Sequence, residues 1–171
     1  MLDLLRQSLT GQFEAALSML NQCVTLCPAE HWEEKIATAT FRWNAYHTLF
    51  FTDLYLTPGG EHAFTLRDFH ARGGDEREPV MCPGLSRDET LAYLALCRQK
   101  AIEFLTAETP ASLSSASGFS WMPFSRLELH LYNLRHIQHH TGQLSAYLRR
   151  VAPTLADGKG VKWVRTGWGV M

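Results

Sequence analysis

The sequence predicts an all-α protein, a four-helix bundle with long crossover loops. Three observations lead there: apolar residues recur at three- and four-residue spacing through four separate segments, caps and prolines bracket those segments, and no stretch alternates like a strand. The first segment, about residues 2–26, places Leu2, Leu5, Leu9, Phe13, Leu17, Leu20 and Val24 on one helix face, and Pro28 stops it. The second, about 40–56, runs through Phe41, Trp43, Tyr46, His47, Phe50, Phe51 and Leu54 to the breaker Thr57-Pro58-Gly59-Gly60. It is apolar on most sides and is expected at the centre.

Glu61 to Leu85 is polar and aperiodic, which reads as a long crossover loop. The third helix, about 86–108, opens at Ser86-Arg87-Asp88-Glu89, a capping box in which the Ser oxygen and the Glu carboxylate satisfy otherwise unpaired amide donors. It continues through Leu91, Leu94, Ile102 and Leu105 and stops at Pro110. Ala111 to Pro123 is Ser-rich and reads as a loop. A second capping box, Ser125-Arg126-Leu127-Glu128, starts the last helix, about 125–152, before Pro153. The tail, 156–171, is Gly-rich, yet Trp163 and Trp168 predict that it docks on apolar surface.

The 171 residues have the length of one domain, taken here as 1–171. A formal charge of -1 and the lack of any Lys/Arg stripe argue against a nucleic-acid partner. The start, Met1 to Gln7, has no basic region followed by an apolar one, and no apolar run approaches the roughly 20 residues of a membrane span, so a soluble cytoplasmic protein is expected. Cys23, Cys27, Cys82 and Cys97 are expected to be reduced. The i, i+4 pair Cys23 and Cys27 would allow a two-thiolate metal site, but paired CxxC units are absent, and helix packing is the favoured reading.

The chemistry concentrates in His136-Ile137-Gln138-His139-His140. His136 and His140 are one turn apart on one face and can reach a common point; Leu129, Tyr132, Asn133, Gln143, Leu144 and Tyr147 share that face, which predicts both rings in the middle of the inward stripe. Buried imidazoles need partners, and a metal ion supplies one. His47, flanked by Trp43, Asn44, Phe51 and Leu54, is the candidate third ligand from another central helix. Three neutral imidazoles suit an open zinc or nickel site with room for water or a substrate atom. No HExxH and no pair of ExxH motifs competes. Asn44, Tyr132, Asn133, His139 and Gln143 are the pocket candidates; His31, His62, His70 and His130 receive no role.

The segment Asn133 to Leu144, with its double His, a His one turn earlier and a following Gly-Gln, resembles the closing motif of the DinB-like family, and Trp43 to Leu56 resembles the helix that carries that family's first ligand His, at His47. The resemblance implies an up-up-down-down bundle, a three-histidine site for zinc, nickel or a related ion, and a homodimer. Some relatives are S-transferases that use low-molecular-weight thiols, so such a thiol is a candidate cofactor. Thr141 departs from the basic residue that often follows the double His. Gly142 costs a helix interior about 1 kcal/mol relative to Ala, which predicts close helix packing or room at the site.

Two functions are carried forward: a metal-dependent transferase or hydrolase that activates a thiol or water, and a non-catalytic metal-binding or stress-associated module for a small molecule or partner. The fourth coordination position separates them, open in the first and closed in the second. A metal-free bundle with hydrogen-bonded histidines is the third.

Overall fold

The computed structural model of the chain describes residues 1–36, 38–70, 84–152 and 160–169. Four long helices form where the periodicity places them: α1 (Leu2–Leu26), α2 (Phe41–Tyr55), α3 (Arg87–Ala107) and, after the short α4 (Pro110–Ser114), α5 (Arg126–Val151). Each entry except that of α1 is capped by a side chain. Thr40 Oγ1 accepts from the Trp43 amide at 3.1 Å, and Ser125 Oγ accepts from that of Glu128 at 3.2 Å. At Ser86 the expected box is complete: its hydroxyl accepts from the Glu89 amide at 3.3 Å while the Glu89 carboxylate accepts from the Ser86 amide at 2.8 Å.

The stretch expected as a loop from Ala111 holds part of α4. Pro110 does not merely end α3; it occupies the first turn of a new helix, where its missing N–H costs nothing, and Thr109 and Ser112 form a capping box. Between α1 and α2 lies an antiparallel pair of two-residue strands, β1 (Lys35–Ile36) and β2 (Ala39–Thr40). Among the described residues no helix is long and apolar enough to cross a membrane.

The helices form a ring in which α1 and α2 each pack on both α3 and α5. Their directions follow from which residues meet. Arg6 bonds the Glu108 carbonyl and Glu14 bonds Arg98, so α1 and α3 are antiparallel. Tyr46 faces Tyr93, Leu49 meets Cys97 and Asp53 meets Lys100, so α2 and α3 are parallel. His47 faces His140 and Tyr55 faces Tyr132, making α2 and α5 antiparallel, while Phe13 on His130 and Cys23 on Thr141 make α1 and α5 parallel. The order is therefore up-down-down-up, which corrects the up-up-down-down arrangement and the two crossovers. Only the connection from α2 to α3 returns along the bundle; the one that carries α4 reverses at the same end.

The core is closed by apolar side chains such as Phe13, Leu17, Leu20, Phe41, Leu49, Leu94, Leu105 and Leu144, each fully or almost fully buried and each contributing about 1.5–3 kcal/mol by leaving water. The α2–α3 connection is tied to the α4–α5 connection where Gly60 meets Gly118. A Cβ on Gly60 would lie 2.1 Å from the Gly118 carbonyl oxygen, and both residues have positive φ, so two glycines are required there. The described tail docks on α1 and α3: Gln22 bonds Lys162 with both ends of its amide, Gly167 donates to the Gly11 carbonyl, and Trp168 lies over the Arg98 guanidinium of α3. Trp163 does not join it and is 73 % exposed.

Candidate metal centre

Thirteen of the fifteen residues of α2 are buried; the two that reach the surface are His47 and Phe51, one turn apart. On α5 the buried face carries His130, Asn133, Ile137, Thr141, Leu144 and Leu148. His136 and His140 lie on its shoulder and are half-buried, which corrects the expectation that they occupy the middle of the inward stripe. The centre of that stripe points between α1 and α2, and the histidines face the edge where α2 and α5 meet solvent.

At that edge three imidazoles converge. One ring nitrogen from each of His47, His136 and His140 lies within 4.8 Å of the others, and Nε2 of His136 is 3.2 Å from Nε2 of His47. Two imidazole nitrogens bound at about 2.0–2.1 Å to one tetrahedral ion are roughly 3.3 Å apart, so the spacing suits a shared ion. No fourth His, Cys, Asp or Glu joins the group among the described residues.

The ring orientations have local causes. His47 stacks on Trp43 at 4.6 Å and packs against Phe51 at 4.8 Å. His140 donates from Nδ1 to Gln143, leaving Nε2 for the cluster, and the Gln143 amide nitrogen donates to Nε2 of His139 at 3.1 Å. Nδ1 of His136 is buried and makes no hydrogen bond among the described residues. Burial, with the neighbouring His140 and His47, pushes His136 down to about 3; burial and His47 push His140 down to about 4. Both are neutral at physiological pH, the form that offers a lone pair to a metal.

Two cavities adjoin the cluster, one lined in part by His136 and the other by His140. One, about 310 Å³, is lined by Tyr132, Arg135, His136 and His139. The other, about 380 Å³, is lined in part by Trp43, Asn44, His140, Gln143, Tyr147 and Arg150. Asn44, Tyr132, His139 and Gln143 thus border the openings. Asn133 does not: it is fully buried, and its amide nitrogen donates to the Thr52 carbonyl at 3.4 Å.

Several polar groups were not legible beforehand. Tyr147 donates its hydroxyl to Glu34, which also accepts from Nδ1 of His31 at 2.8 Å, beside the larger cavity. His130 is fully buried and bonds the Glu108 carboxylate at 2.8 Å; His70 is buried between the Arg67 amide and the Tyr93 hydroxyl. Their partners are distant in sequence or sit in loops, so helical spacing carries no signal of them. Cys23 and Cys27 stand apart from the histidines, and burial pushes both thiols up to about 12, so they stay protonated. Cys82 lies outside the described residues.

A family model with the description DinB superfamily matches residues 12–144, a span that contains all three histidines. No curated protein and no solved structure matches the chain.

Proposed function

The chain belongs to the DinB superfamily, and on that premise we propose that it is a metal-dependent enzyme whose single divalent ion is held by His47, His136 and His140. The observation that carries the reading is the convergence of three imidazole nitrogens with no fourth protein donor among the described residues. Neutral nitrogen ligands favour zinc or nickel. When bound, the ion supplies Lewis acidity that lowers the pKa of a thiol or water in its open position. The reaction class is then a transfer to a low-molecular-weight thiol or a hydrolysis.

The protein's own residues supply the setting. Gln143 holds His140 in the tautomer that presents Nε2, and Trp43 and Phe51 pack against the ring of His47 and fix its orientation. Tyr147, held up at about 12 by burial and by Glu34, remains a proton donor at neutral pH on the wall of the larger cavity. The lack of a fourth protein donor among the described residues, with one cavity at His136 and another at His140, weighs against a purely structural ion. The homodimer implied by the family is proposed on the same footing, and sedimentation decides it.

Elemental analysis of protein made without a histidine tag tests the metal. The expected result is close to one ion per chain, lost in His47→Ala and in His136→Ala with helix content retained. Wild-type protein that takes up no zinc or nickel on titration overturns the reading.

A further inference from the structure

Resting on the metal reading, the charges around the cluster specify what fills its open position. Three imidazoles are neutral ligands, so a divalent ion there keeps its full double charge. Neither of the two flanking cavities has an Asp or Glu in its lining among the described residues, and each has one arginine, Arg135 or Arg150.

Arg150 has a reason to be where it is, in the last turn of α5, where a cation complements the carbonyl end of the helix. Arg135 has none of this kind. It is exposed in the middle of α5, lies over the Tyr132 ring at 5.7 Å and makes no ion pair among the described residues. The helix offers it no acid one turn away, since positions 131, 132, 138 and 139 are Leu, Tyr, Gln and His. A guanidinium lining the same cavity as His136 is repelled by a cation at that histidine unless an anion lies between them.

We propose that the site takes a small organic acid, with one donor atom at the open position beside His136 and a separate carboxylate or similar planar oxyanion held by the fork of Arg135. Arg135 is then the specificity-determining residue of the centre. Guanidinium and carboxylate match in a bidentate geometry that an alcohol or amide of equal size does not reproduce.

The test uses the full chain loaded with cobalt(II), whose visible spectrum reports ligands at the open position. Succinic acid monohydroxamate is titrated against its neutral amide, which has the same length and the same metal-binding end. The wild type is expected to bind the acid roughly tenfold more tightly, the worth of one charge-assisted contact. Arg135→Gln should abolish that preference, and Arg149→Gln, a charge removal on the same helix away from both cavities, should leave it intact. Equal affinities in the wild type, or a preference that survives Arg135→Gln, overturn the proposal while the metal reading stands. Failure to bind cobalt(II) overturns both.

Discussion

Nδ1 of His140 donates to the side-chain oxygen of Gln143 at 3.0 Å, so the imidazole ring is aimed by the residue one turn further along its own helix. Removing such an orienting partner costs about 10- to 100-fold in metal affinity. Gln143→Leu is therefore expected to weaken zinc binding by that factor in a chelator competition, with an unchanged melting curve for the metal-free protein because Gln143 is exposed. Equal affinity in the variant would remove Gln143 from the site.

Burial holds His130 and His70 below the ordinary value of 6.5, against the opposing pull of Glu108 on the first and Asp53 on the second. Each is neutral in the folded protein, whereas the unfolded chain takes up a proton at each as pH falls through 6.5. Their contribution to stability is thus intact above that pH and lost below it, at up to about 1.4 kcal/mol per pH unit for each group. Urea unfolding between about pH 7.5 and 5.5 should show the slope, shallower in His130→Gln, which keeps a donor for Glu108. A profile that is flat in the wild type contradicts this.

Lys100 reaches the Asp53 carboxylate at 2.5 Å, and Asp53 is only 2 % exposed. Lys100→Met leaves a buried negative charge with Arg67, at 3.7 Å, as its remaining cation among the described residues. The expected loss is about 3 kcal/mol, the low end for a broken buried pair. Adding Asp53→Asn should restore part of it in the same denaturation assay, because the uncompensated charge is then gone.

A Cβ placed on Gly142 meets nothing within 4 Å, and the residue is exposed within α5. Of the two expectations for this glycine, close helix packing or room, the packing is absent and the space beside it is open. Gly142→Ala should then stabilise the protein by about 0.5–1 kcal/mol through helix propensity and a less flexible unfolded chain. A lower melting temperature in the variant would show that the position serves something other than the helix.

The four long helices were legible because their signals are local: a 3.6-residue period, Ser86 with Glu89, and prolines at the ends. Each observed boundary lies within one residue of its expected position. The meeting of three histidines was legible for a related reason, since His136 and His140 share one turn and His47 was the histidine on the other central helix. What escaped depends on contacts far apart in sequence. Helix direction is set by which end of α3 the chain reaches after leaving α2, and no residue in the crossover announces it. The strands at Lys35 and Ala39 are too short to alternate. His130 sits at the centre of the buried face because Glu108, 22 residues earlier, is there to receive it.

All three imidazoles come from α2 and α5, whereas the ion pair of Glu14 with Arg98 fastens α1 to α3. An ion at the cluster would act as a clasp on one seam of the ring and leave the opposite seam to its own fastener. Stripping it would loosen the molecule unevenly, and amide hydrogen exchange would quicken first along α5 and the exposed edge of α2 while α1 and α3 kept their protection.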